Sequence, residues 1–194
     1  MSNFNRVIYD RLPSFSEIPL EARKSYIDCV CSDYGVPRID EYVDAFCVAP
    51  ASSKYHGNYE GGLLDHSLNV ACVLDAMTRD MQLEWQNDRS PILVGMYHDI
   101  CKFDNYIITD SEILKAEAIN LGHGDRSVEL LKKIIPDLTE EEELCIRWHM
   151  GAFDDKENWK FYGEAVEKYP NVLFTHTADM IASRILERSC DNPC

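Results

Sequence analysis

The chain has 194 residues, of which 45% are hydrophobic and 27% charged, a composition typical of one globular domain. We therefore predict a single domain over residues 1–194, in the cytoplasm, because no apolar run is long enough for a membrane span or a signal peptide. The formal net charge of −15 argues against long duplex nucleic acid as a partner, and we expect no membrane partner either.

Helical periodicity extends over almost the whole chain and predicts an all-α fold. The predicted helices, in chain order, cover residues 19–34, 39–48, 63–81, 91–102, 125–135, 160–168 and 170–188. A further helix begins at the capping box Thr139-x-x-Glu142 and carries Trp148 and His149. We expect the acidic start of that helix to be solvated.

Two segments between these helices have a different character. Residues 51–62 contain three glycines and are predicted to form a loop that approaches a ligand closely. Strand character at residues 106–109 predicts a small β-hairpin or lid around residues 105–121.

Residue types that bind divalent metals occur along much of the chain, and two of them are buried carboxylates. Asp99 lies on a predicted helix that is apolar on all sides, and Asp179 lies on another. An ionised carboxylate in such a helix is costly unless it is paired or bound to a metal. Lys102 and Arg184 are the main cations that could pair with them instead. The candidate metal ligands are His66, His98, Asp99, His123, His149 and Asp179.

Each of these residues taken alone has a simpler explanation. A single histidine on an apolar helix face is usually a hydrogen-bonded core residue, and a single buried aspartate is usually a helix cap or an ion-pair partner. His66, the His98-Asp99 pair and Asp179 all face inward on different predicted helices. This co-occurrence favours a metal site over separate structural roles.

The order of these residues resembles the signature of the HD-domain superfamily of metal-dependent phosphohydrolases. That signature is a histidine, then a His-Asp pair, then a distant aspartate, on a bundle of helices, and His66, His98-Asp99 and Asp179 match it. The resemblance covers about residues 50–185 and implies an HD-domain helical bundle. His123 and His149 resemble the two histidines with which a subset of the family binds a second metal.

The resemblance implies two divalent metal ions per chain. It assigns Asp99 as a bridge between them, with the remaining ligands of the first metal being His66, His98 and Asp179, and those of the second being His123 and His149. A metal-activated hydroxide then attacks a phosphate ester. Lys102, one turn after His98-Asp99, is expected to stabilise charge on the phosphate, so Asp99 and Lys102 are the predicted catalytic residues. The alternative for Lys102 is a solvated helix end.

The expected substrate is a small anionic phosphate ester, a nucleotide or a short oligonucleotide. His56 followed by Gly61-Gly62-Leu63-x-x-His66 resembles the catalytic domain of HD proteins that cut RNA from its 3′ end. Those enzymes add a nucleic-acid-binding domain that we do not find in this sequence, and the acidic charge disfavours long RNA. The candidate substrate contacts are His56, Lys102, Arg126 and Ser127. His176 is expected to face the same pocket or to orient a ligand.

The imidazole-rich ligand set suits Fe, Mn, Zn, Co or Ni better than Mg, and it does not choose among them. Two other functions fit the same pattern. One is an HD-fold di-iron oxygenase, which would share the ligand set, and the other is a non-catalytic metal-binding helical signalling module. The sequence does not indicate an oligomeric state.

Overall fold

The computed structural model describes residues 17–109, 113–115 and 122–187. Within these ranges the regular secondary structure is helical apart from one two-stranded sheet, which confirms the predicted all-α class. None of the described helices is both long and apolar enough to cross a membrane. The α-helices are α1 (Leu20–Tyr34), α2 (Val43–Val48), α3 (Gly62–Met81), α4 (Ser90–Tyr97), α5 (His123–Ile134), α6 (Glu140–Arg147), α7 (Trp159–Lys168) and α8 (Asn171–Ile181). The shorter elements are three 3₁₀ segments, Ile100–Asp104, Gly151–Phe153 and Lys156–Asn158, and a π-helix, Ala182–Leu186.

The core of the molecule is built around α4, in which every residue from Ser90 to Tyr97 is buried. Its largest interface is with α3, and α6 and α8 also pack against it. The α3–α4 contact is close because Gly95 lacks a side chain: a Cβ there would lie 2.3 Å from the Cα of Ala71. Helix α3, which carries His66, and helix α8, which carries Asp179, therefore both pack against α4. His98 and Asp99 follow directly after α4 in the chain.

The predicted helix 91–102 is wrong beyond Tyr97. The α-helix ends there, His98 and Asp99 form a turn, and a 3₁₀ segment follows in which the Lys102 amide donates to the Asp99 carbonyl at 2.9 Å. Residues three apart in a 3₁₀ helix are eclipsed, so the Lys102 side chain lies directly beside that of Asp99. No glycine or proline marks this change in the sequence.

The start of α6 confirms the predicted capping box and corrects the predicted solvation. The Thr139 hydroxyl accepts from the Glu142 amide at 3.2 Å, and the Glu142 carboxylate accepts from the Thr139 amide at 2.8 Å. Glu141 and Glu142 are buried rather than solvated. The helix ends at Arg147, so His149 lies in the turn after it and not within it.

The predicted hairpin is present. Strand β1 (Tyr106–Ile108) pairs antiparallel with β2 (Ile113–Lys115), with Tyr106 opposite Lys115 and Ile108 opposite Ile113. The residues between the strands, 110–112, and those after them, 116–121, lie outside the described part of the chain. Arg188, the expected end of the last helix, also lies outside it.

The loop before α3 is held in place by a buried arginine. The Arg23 guanidinium donates to the Cys47 carbonyl and to the Glu60 carboxylate, each at 3.0 Å. Within the loop, the backbone of Gly62 lies so near that of Gly57 that a Cβ on Gly62 would be 2.1 Å from the Gly57 carbonyl oxygen. These contacts fix the first turn of α3, which carries His66.

Candidate metal centre

Five of the six predicted metal ligands meet at one place. Helix α3 contributes His66, the turn after α4 contributes His98 and Asp99, the turn after α6 contributes His149, and α8 contributes Asp179. Their ligand atoms form two groups, His66 with His98 and Asp99, and His98 with His149 and Asp179, and within each group the atoms lie within 4.8 Å of one another. His98 belongs to both groups.

The first group surrounds the Nε2 atom of His66. This atom lies 3.2 Å from Nε2 of His98 and 3.3 Å from Oδ1 of Asp179. The Oδ2 atom of Asp99 is 3.4 Å from Nε2 of His98 and 3.9 Å from Nε2 of His66. Asp179 thus faces His66 from outside the first group, while its ligand atoms are grouped with those of His98 and His149.

Asp99 faces a second histidine with its other oxygen. Its Oδ1 lies 3.4 Å from Nε2 of His149, and both atoms are buried without a hydrogen bond to any described residue. Buried polar atoms are nearly always hydrogen-bonded, so two such atoms that face each other without a bond fit a cation bound between them. Imidazole nitrogen and carboxylate oxygen are the ligand types of divalent transition metals.

The tautomers of two histidines follow from their backbone contacts. The Nδ1 of His98 lies 2.9 Å from the Gly95 carbonyl, and the Nδ1 of His149 lies 2.7 Å from the Ile146 carbonyl. A carbonyl only accepts, so each Nδ1 carries a proton and each Nε2 is the ring nitrogen that faces the centre. Nε2 is therefore the nitrogen through which either ring could bind a metal.

The charges of the site favour a cation. Burial would raise the pKa of Asp99, but the Lys102 ammonium holds that pKa well below its usual value. Burial lowers the pKa of His98, which keeps its ring neutral. Burial also opposes the protonation of His66, yet Glu187 and Asp179 outweigh it and raise the pKa of His66 to about 10. The carboxylates that favour a proton on His66 favour any cation at the same position.

Lys102 is not a solvated helix end. Its side chain is 12% exposed, and its Nζ lies 2.6 Å from Oδ2 of Asp99. Burial opposes the charged amine, but Asp99 raises the pKa of Lys102 above its usual value. A fixed positive charge therefore lies beside the ligand atoms.

His123, the sixth predicted ligand, is the first residue of α5 and belongs to neither ligand group among the described residues. Its backbone carbonyl accepts from the Cys101 thiol at 3.3 Å. The hydroxyl of Ser127, one turn further on, accepts from the Cys101 amide at 3.3 Å. The start of α5 is thus anchored to the 3₁₀ segment that follows Asp99, and Ser127 is a buried part of that anchor.

The two remaining predicted substrate contacts, Arg126 and His56, lie in different surroundings. Arg126 donates to Asp104 and Asn105, each at 2.6 Å, and so is engaged within the protein. The ring of His56 lies 4.7 Å from that of His66, and its Nε2 is buried without a hydrogen bond to a described residue. Burial and the nearby His66 lower the pKa of His56 to about 4, so its ring is neutral.

Sequence reasoning missed one carboxylate that contacts the site. The two oxygens of Glu187 lie 3.0 and 3.1 Å from Nδ1 of His66, and the Asn69 amide donates to Glu187 at 3.0 Å. No local pattern distinguishes this glutamate from others near a helix end. His176 belongs to neither ligand group. Its Nδ1 donates to the backbone carbonyl of His149 at 2.7 Å.

These features define an all-α protein with clusters of His and Asp side chains that could hold a metal, and comparison with known proteins identifies its class. The model of the HD domain family matches residues 63–182, and the chain belongs to that family. This confirms the family predicted from the motifs.

A curated protein is similar to part of the chain. It is the dihydroneopterin 2′,3′-cyclic phosphate phosphodiesterase of Methanocaldococcus jannaschii, which is 34% identical over 93 residues, covering 45% of this chain and 37% of the relative. The matched region is thus little more than a third of that protein. No solved structure gave a significant match. Family membership and the relative's name both support the prediction of a hydrolase.

Proposed function

We propose that this protein is a metal-dependent phosphohydrolase that cleaves a phosphodiester in a nucleotide or a short oligonucleotide. The observation that carries the proposal is the double orientation of Asp99. One of its oxygens faces His66 and His98, and the other faces His149. A carboxylate between two sets of imidazoles suits a pair of metals that share one ligand.

The proposed ligands follow from these contacts and from the HD signature. His66, His98, Asp99 and Asp179 would hold one metal, and Asp99 and His149, together with His123, would hold the other. When bound, the metals supply Lewis acidity to the phosphoryl oxygens and lower the pKa of a coordinated water.

The protein's own residues contribute binding and charge. Lys102 keeps a positive charge 2.6 Å from Asp99, where it can attract a phosphate and offset the charge that develops on it. His56 presents a neutral ring whose Nε2 can donate to or accept from a substrate oxygen. The burial of the site excludes water, which strengthens each of these interactions.

The proposed substrate is small because the surface is acidic. A chain with a formal charge of −15 repels a long polyanion, whereas a mononucleotide or cyclic phosphate can enter a local cationic site. The name of the archaeal relative supports a 2′,3′-cyclic phosphate as the first substrate to test. Lys102 and His56 are the proposed substrate contacts, with Arg126 available only if its bonds to Asp104 and Asn105 open.

The test combines metal analysis with an activity panel. Protein purified without chelator is analysed for bound metals and assayed on bis-p-nitrophenyl phosphate, 2′,3′-cyclic nucleotides and dinucleotides, with Asp99→Asn as the inactive control. We expect about two transition metals per chain and chelator-sensitive hydrolysis. Bound iron with oxygen consumption and no hydrolysis would instead establish an oxygenase.

A further inference from the structure

We infer that Glu187 is a positioning residue that fixes the tautomer and orientation of His66, and that the π-helix at the end of α8 exists to place it there. The inference rests on the proposed metal centre. Glu187, His56 and His66 offer ligand atoms within 4.8 Å of one another, but both Glu187 oxygens face Nδ1 of His66. Glu187 is therefore assigned to the ring of His66, whose affinity for a metal it sets, and not to a metal of its own.

The hydrogen bond between His66 and Glu187 has a defined direction. Both oxygens of Glu187 lie within 3.1 Å of Nδ1 of His66. An ionised carboxylate only accepts, so Nδ1 carries a proton, and Nε2, 3.3 Å from Asp179, is the nitrogen on which a metal can replace a proton. A carboxylate partner also makes the imidazole a stronger ligand than a neutral acceptor would.

His66 needs this partner, whereas His98 and His149 do not. His98 and His149 follow directly on helix ends, where the last carbonyls of a helix lack an amide partner and can accept from Nδ1. His66 is the fifth residue of α3, where the carbonyls are used within the helix. Its acceptor must come from another element.

The acceptor lies at the end of the π-helix that continues α8, the helix that carries Asp179. Glu187 lies eight residues after Asp179, and at about 100° per residue an α-helix would turn it about 80° away from Asp179. The π-helix adds one residue to a turn, shown by the Glu187 amide donating to the Ala182 carbonyl five residues back at 3.0 Å. Glu187 and Asp179 therefore contact the same imidazole from two sides.

Glu187 is itself held in place by a further hydrogen bond. Asn69, three residues after His66 on α3, donates its side-chain amide to Glu187 at 3.0 Å. The Glu187 side chain is 8% exposed, so this bond and that to His66 are little weakened by solvent. Two neighbours on α3 thus hold the carboxylate.

The chain offers a matched control in Glu141. This glutamate is also buried and also accepts from an asparagine amide, that of Asn171 at 2.8 Å, but among the described residues it forms no hydrogen bond or ion pair with a histidine. Loss of its charge tests what removing a buried carboxylate does to the fold alone.

The experiment compares Glu187→Gln, Glu187→Ala and Glu141→Gln with the wild type. Metal-free protein is titrated with Mn²⁺ and Zn²⁺ by calorimetry, and its thermal unfolding is recorded without metal. We expect metal affinity to fall about 10-fold in Glu187→Gln, which keeps an acceptor, and about 100-fold in Glu187→Ala. Glu141→Gln should unfold at a lower temperature with unchanged affinity.

Three outcomes separate this inference from the proposed function. Wild-type affinity in folded Glu187→Ala would overturn the inference, whatever the activity. Should Glu187→Ala not fold, Asn69→Ala decides, because weaker metal binding at an unchanged unfolding temperature supports positioning and unchanged binding refutes it. A wild type that binds metal without hydrolysing any phosphodiester would overturn the proposed function while leaving the inference in place.

Discussion

Buried carboxylates occur in two parts of this molecule, and they differ in what surrounds them. At the start of α6, Glu141 accepts from the Gln86 amide at 2.7 Å and from Asn171 at 2.8 Å. Glu142 accepts from the Ser90 hydroxyl at 2.9 Å and from the Thr139 amide at 2.8 Å. Every partner is a donor, so this cluster is complete without any ion.

At the proposed metal centre the partners are different: Lys102 donates to Oδ2 of Asp99, but the other atoms that face the two aspartates are imidazole nitrogens. Asp99 and Asp179 face imidazole Nε2 atoms, and two of the atoms involved, Oδ1 of Asp99 and Nε2 of His149, make no hydrogen bond to a described residue. Acceptors that converge in a buried space repel one another unless a cation lies among them. Burial of a carboxylate therefore does not indicate a site, whereas convergence of acceptors does.

The largest effect that separates the two regions is expected from Asp99→Asn. Removing the shared charge should lower phosphodiester hydrolysis at least about 10³-fold, or about 4 kcal/mol of transition-state stabilisation, together with metal loss. The metal-free variant should keep its helical circular dichroism. A metal-loaded, active Asp99→Asn enzyme would contradict the metal centre.

Glu142→Ala tests the other cluster and should act on stability alone. It leaves the Thr139 amide and the Ser90 hydroxyl buried without an acceptor, which should lower the free energy of unfolding by about 3 kcal/mol. Urea unfolding measures this change, and a parallel metal titration should give the wild-type affinity. Loss of metal from a folded Glu142→Ala variant would show that the two regions are coupled.

The smallest of the three effects is expected from Lys102→Ala. It should lower turnover about 10²-fold, since one fixed charge is removed, while the metals stay bound. Lys132→Ala is the matched control, because Lys132 pairs with Glu143 on the surface and its loss should change neither turnover nor stability measurably. Metal loss on Lys102→Ala would instead make Lys102 a support for Asp99.

Much of the fold could be predicted because its signals are local. The capping box at Thr139 and the helix stop at Gly35, which has a φ of 65°, each depend on residues within one turn, and the structure confirms both. The strand at residues 106–108 likewise follows from two adjacent β-branched residues, Ile107 and Ile108. The histidines and aspartates predicted as ligands stand out in the sequence because those residue types are rare in apolar helices, and the structure brings five of the six together.

The remaining features depend on distant contacts and have no local signal. Glu141 and Glu142 look solvated in a run of four acids, and only their donors from Gln86, Ser90 and Asn171 make burial possible. Glu187 was missed for the same reason, because its partner His66 is 121 residues away. The end of α4 at Tyr97 follows from packing and not from any helix-breaking residue.

The wide separation of the ligands has a consequence for biosynthesis. His66 leaves the ribosome more than a hundred residues before Asp179 and Glu187, and a chain is made at about 5–20 residues per second. For several seconds His66 exists without Asp179 and Glu187. The proposed centre can therefore be completed only after α8 has been synthesised.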